Sequence, residues 1–169
     1  MKLSRRLMVS AMSGMLPFLA FSRAAYAGTV VKVALWDKGA TSMDAMDTLM
    51  PMGMAMSGAM MDMATMGITA DTVEIPAGEV TFRVVNESQE FYHSMVISPV
   101  GDPSKELPYL IEERMVDEEG AVATARVKEL KPHDSGSVTL DMQPGTYILY
   151  CNIAGHYVMG MWTMVTVTA

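Results

Sequence analysis

Cys151-Asn152-Ile153-Ala154-Gly155-His156-Tyr157-Val158-Met159-Gly160-Met161 is the densest chemical signal in the chain. The Cys ends a run rich in aromatic and branched residues, Thr146 to Cys151, that has strand character. A Gly-containing loop follows, and His and Met arrive at short intervals before a last strand begins at Trp162. Thiolate, imidazole and thioether therefore meet at one end of a sheet. Cys151 is the only cysteine, so it has no internal disulfide partner and needs another explanation. A second imidazole lies elsewhere: His93 opens a strand after the turn signal Asn86-Glu87-Ser88.

The surrounding pattern is β from Asp71 onward. Ile75-Pro76-Ala77-Gly78-Glu79 punctuates two strands, and in the second Val80, Phe82 and Val84 share a face opposite Thr81 and Arg83. His93, Met95 and Ile97 alternate with Ser94, Val96 and Ser98, and Val138, Leu140 and Met142 line one side of another strand. Pro144-Gly145 is a turn, and Val165 and Val167 share a face near the end. Thr29 to Trp36 is a first strand. Between Pro103 and Met115 the spacing of Leu107, Leu110, Ile111 and Met115 predicts a short helical excursion. The fold expected is an all-β Greek-key sandwich or barrel of about seven strands. Its expected divisions are 1–27 as a signal peptide, 28–36 as the first strand, 37–70 as a long flexible Met-rich insertion, and 71–169 as the main body.

Thiolate and thioether are soft donors that suit Cu(I), and imidazole suits both copper states. Two His and one Cys in a trigonal array with a weak axial Met make a blue-copper site. The ligand loop, the strand-turn-His segment Val80 to Ile97, and Pro144-Gly145-Thr146-Tyr147 before the Cys together resemble the cupredoxin family. The resemblance covers roughly Asp71 to Ala169, and more weakly the first strand. It implies a type 1 copper held by Cys151, His93 and His156 with Met161 as the axial contact, and Ser94 tying the His segment to the Cys loop. The four-residue gap between Cys151 and His156 is longer than in plastocyanins and resembles sulfocyanin-like or periplasmic copper-tolerance cupredoxins. Met159 competes with Met161, and the family's spacing favours Met161. The competing reading of each residue is a buried inert thiol, structural histidines and a core methionine. His133, in Pro132-His133-Asp134, reads as a solvated turn residue.

Ten of the 20 methionines fall between Met43 and Met66. Met52-x-Met54-x-Met56 and Met61-x-Met63 offer neutral sulfur donors for additional Cu(I). A surface loop of adaptable hydrophobes and a store of oxidisable Met are the alternatives. Lys2, Arg5 and Arg6, the apolar run Leu7 to Ala20 and Ala25-Tyr26-Ala27 follow the order of an export signal, implying a periplasmic protein. Ser4-Arg5-Arg6-Leu7-Met8-Val9 resembles a twin-arginine signal with Met8 where Phe is usual, so the general secretory route is also open. The apolar run is too short and broken for a permanent anchor. Cleavage after Ala27 would remove four of the 12 basic residues and none of the 19 acidic ones, taking the formal charge from −7 to −11. Such a chain repels nucleic acid and attracts basic partners.

Two functions follow: an electron carrier serving a redox partner such as a cytochrome, and a copper-tolerance protein that sequesters or delivers the metal to copper-handling partners. Enzyme readings fare poorly, because three His and one Cys cannot build a type 1 site plus a further copper cluster. A zinc site of Cys, two His and water is the rival metal class, against which Met161 and the abundance of Met argue.

Overall fold

The computed structural model describes residues 28–44 and 64–169. The expected signal peptide and most of the Met-rich tract lie outside these residues. A four-stranded sheet has the order β2 (Met66–Ala70), β1 (Thr29–Asp37), β4 (Gly78–Asn86), β9 (Ser135–Met142). A five-stranded sheet has the order β3 (Glu74–Pro76), β11 (Trp162–Thr168), β10 (Gly145–Tyr150), β5 (His93–Val100), β8 (Ala125–Leu130). A small hairpin pairs β6 (Tyr109–Leu110) with β7 (Met115–Val116). The predicted β-sandwich is the architecture observed. β1 pairs parallel with β4, and β3 parallel with β11, so the chain crosses between sheets rather than meandering.

Alternation dictates which faces meet. Val31, Val33 and Leu35 of β1 and Val80, Phe82 and Val84 of β4 point inward, while Lys32, Glu79 and Arg83 point out. They pack against Met95, Ile97, Leu149, Val165 and Val167 of the other sheet in one core that also contains Cys151, Met159 and Met161. The outer face of the five-stranded sheet is covered as well. Leu107, Val116 and Ala121, from the long connection between β5 and β8, pack on Val96, Ile148, Tyr150, Tyr157, Val158 and Trp162. Buried on both sides, Ile148-Leu149-Tyr150 is a continuous apolar run rather than an alternating one.

Two expectations are corrected. The helical excursion over 103–115 is instead a series of turns and the β6–β7 hairpin. Pro108 removes an amide donor and disfavours helical geometry at Leu107, and the apolar residues do not share a face. Leu107 is buried, whereas Leu110 is 43% and Ile111 73% exposed. The only helical piece among the described residues is a 3-10 turn at Ala40–Met43. The insertion is also narrower than 37–70: Asp37 ends β1, and Met66–Ala70 forms β2, antiparallel to β1. Gly67 admits the Trp36 ring, since a Cβ there would run into Trp36 Cζ2.

Candidate metal centre

The segment after β10 winds into a tight loop. Cys151 N–H donates to the Met161 carbonyl at 3.0 Å, closing the loop on itself. Inside it, His156 N–H bonds to Ile153 O at 3.0 Å and Met161 N–H to His156 O at 3.1 Å. Gly155 (φ 84°) and Gly160 (φ 93°) supply the left-handed positions that such winding requires. The loop brings His156 back over the thiol, with Nδ1 3.5 Å from Cys151 Sγ.

His93 comes from the neighbouring strand. β5 pairs antiparallel with β10, and its register against β8 shifts between His93 and Met95. Such an irregularity re-aims side chains at a strand end. Both His93 and Ser94 are buried there. The Asn86–Tyr92 approach is braced by Asn86, whose Nδ2 donates to Phe91 O and Leu130 O, each at 2.9 Å. Ser88 Oγ accepts the Glu90 and Phe91 amides at 3.1 and 2.8 Å.

The result is a compact donor set. One ring nitrogen of His93, one of His156 and Cys151 Sγ all lie within 4.8 Å of one another, and all three residues are buried. The Nδ1 atoms of His93 and His156 face each other at 3.2 Å. His93 Nε2 lies 2.9 Å from Asp37 Oδ2, so an ionised Asp37 accepts a hydrogen bond from Nε2–H and the neutral ring presents its Nδ1 lone pair to the cluster. Ser94 N–H donates to Cys151 Sγ at 3.3 Å, its hydroxyl lies 3.6 Å from the same sulfur, and Asn152 N–H donates to that hydroxyl at 3.2 Å.

Protonation works against charge here. Burial pushes His93 below its ordinary range despite Asp37. Burial, then repulsion from His93, brings His156 down to about 4, with Asp37 opposing. Burial pushes the Cys151 thiol up, while hydrogen bonds, first from the Ser94 backbone, oppose it. Asp37 stays below the usual carboxylate range: burial would raise it, but hydrogen bonds from Ser88, His93 and Gly39 prevail. Two neutral imidazoles and a thiol converging in a buried site are a poor proton site and a good site for a soft cation, which displaces the thiol proton on binding.

Of the residues singled out from sequence, His93, Cys151 and His156 are brought together. Met161 and Met159 are both fully buried in the core that holds Cys151. His133 stands apart in an exposed turn. His156 is only 3% exposed, and Tyr157 and Val158 turn inward to the second core, leaving Ala154 exposed and Ile153 half-buried. Asp37 and Asn152 were missed. Asn152 Oδ1 accepts the Val116 amide at 2.7 Å, and its Nδ2 donates to Val116 O and Glu118 Oε1 at 3.0 and 2.9 Å. No local spacing links residues 36 or 56 positions apart, so neither contact had a sequence signal.

Residues 49–169 match the sulfocyanin (SoxE) domain. Among solved structures, rusticyanin from Thiobacillus ferrooxidans is 20% identical over 85% of this chain and 80% of its own, with a TM-score of 0.51, a likeness of fold. Auracyanin from Roseiflexus castenholzii is 25% identical over 60% of this chain and 88% of its own, with a TM-score of 0.46. No curated protein matches the chain.

Proposed function

The chain belongs to the sulfocyanin (SoxE) domain family of cupredoxins, and on that premise we propose that it is an exported carrier whose single type 1 copper is held by His93, Cys151, His156 and Met161. It is a cupredoxin-type copper electron-transfer protein. Bound copper supplies a one-electron Cu(I)/Cu(II) couple. The protein supplies a rigid dry setting: Ser94 donates to the sulfur, the loop hydrogen bonds fix His156, and β5 fixes His93. Ligands held in this way reorganise little when the charge of the site changes. The observation that supports this reading is the convergence of a His93 nitrogen, a His156 nitrogen and Cys151 Sγ, with His156 Nδ1 3.2 Å from His93 Nδ1 and 3.5 Å from the sulfur.

Export is inferred from the first 27 residues; no helix among the described residues is long and apolar enough to cross a membrane. The acidic chain suits a basic redox partner, such as a cytochrome or a copper-handling protein.

One observation favours a second role in copper tolerance. The described residues on either side of 45–63 are clasped together: Lys38 N–H bonds to Thr65 O at 2.9 Å, and Thr65 Oγ1 donates to Ser42 O at 2.7 Å. Asp37 touches His93, and Ala64 lies against Gly160. Ala64, where the described chain resumes after the tract, thus sits against the ligand loop, and soft thioethers joined to it by a short stretch of chain would offer Cu(I) at high effective concentration.

Copper loading should produce an intense visible charge-transfer band that Cys151→Ser abolishes; a wild-type chain without that band would refute the ligand set. Anaerobic Cu(I) titration against a competing chelator divides the two roles. More than one ion per chain, falling to one on deletion of 45–63, supports copper handling. One ion in both forms leaves a simple carrier.

A further inference from the structure

We infer that Asp37 is a positioning residue for the copper site: its carboxylate fixes which nitrogen of His93 faces the metal and lowers the reduction potential of the centre. The inference rests on the reading of His93 as a ligand. Asp37 closes β1, at the opposite sheet from His93, and its side chain is only 1% exposed. Burying a carboxylate is costly unless its oxygens are satisfied. Here Oδ2 lies 2.9 Å from His93 Nε2 and Oδ1 accepts the Gly39 amide at 2.7 Å. The buried Ser88 side chain also helps to hold the carboxylate below its ordinary range. Since the Ser88 oxygen already accepts two amides, its hydroxyl proton is free to be given to Asp37.

Two consequences follow. First, a carboxylate cannot donate, so His93 must carry its proton on Nε2 and keep Nδ1 bare. Second, a carboxylate on the far side of a ligand imidazole makes that imidazole a stronger donor. Its negative charge is also weakly screened in the dry interior. Both effects favour Cu(II) over Cu(I). A carboxylate that merely capped the turn at Gly39 would have neither effect.

The test uses the full chain. In the metal-free wild type, nitrogen NMR of the His93 ring should place the proton on Nε2. In the copper-loaded form, Asp37→Asn keeps the shape and removes the charge. The preference for Cu(II) over Cu(I) should then fall roughly tenfold, a rise of about 59 mV in midpoint potential. Asp37→Glu should recover part of that shift. An unchanged potential in Asp37→Asn, or a proton on Nδ1 in the metal-free wild type, would overturn the inference. If the Asn variant does not fold, the wild-type NMR decides, because it needs no substitution. A wild type that takes up no copper would sink the ligand assignment, while the NMR would still judge the hold of Asp37 on the ring.

Discussion

Met159 and Met161 are both wholly buried beside Cys151, so burial does not choose between them. In the ligand set proposed above the axial donor is Met161, whose backbone is also bonded to both Cys151 and His156. An axial thioether tunes the potential of a type 1 site. Met161→Leu should therefore keep the visible band and raise the potential, whereas Met159→Leu should leave the potential near wild type. The reverse pattern in protein-film voltammetry would reassign the axial ligand. Tyr150 offers a test of the second core. Burial, opposed by its hydrogen bond to Ser98, pushes it up to about 12, and burial also pushes Tyr157 up. Folded values above the unfolded ones mean that their contribution is complete below about pH 10 and is lost as pH rises through the folded values. Chemical denaturation should show stability falling by about 1.4 kcal/mol per pH unit per tyrosine above pH 10, and Tyr150→Phe should flatten that slope. An unchanged slope would mean that Tyr150 ionises freely. At this scale the sequence was informative wherever a residue type is itself chemistry: a lone Cys, a Gly-His loop, a His opening a strand. Ser94 was legible too, because it adjoins a ligand. Asp37 was not, because an aspartate at a strand end is ordinary until the fold sets it against His93.

The ligand loop is held in shape from outside. Gly160 combines a left-handed φ with a close neighbour: a Cβ there would lie 2.9 Å from the Cβ of Ala64, a side chain that cannot swing away. Gly160→Ala should cost about 1–3 kcal/mol in chemical denaturation. A neutral result would mean that residues near Ala64 move aside freely. The strands were readable where one face is wet, as in β4, because alternation survives there. The connection between β5 and β8 was misread as helical for a physical reason. A helix and a turn-rich segment laid over a sheet can show similar apolar spacing, and only tertiary packing decided that Leu107 goes in while Leu110 and Ile111 stay out. Likewise β2 lay hidden at the end of the Met-rich tract, since Met66-Gly67-Ile68 has little strand character without β1 to pair with and Trp36 to cover.

Across the whole molecule, 19 acidic residues against 12 basic ones give a formal charge of −7. Electron exchange with a cationic partner should slow as salt rises, because steering between opposite charges weakens once the Debye length shrinks to about 8 Å at physiological ionic strength. Stopped-flow rates independent of salt would show that the surface charge has no part in docking. The sequence by itself determined the β class, the sandwich, the copper chemistry and three of the converging donors. Those follow from local alternation, turn residues and donor type, all of which are properties of short stretches of chain. Only the tertiary structure decided that a second core covers the outer face of the five-stranded sheet, that Tyr157 and Val158 are buried in it, and that Asp37 stands behind His93. Each of these depends on contacts between segments tens of residues apart, which no local pattern encodes.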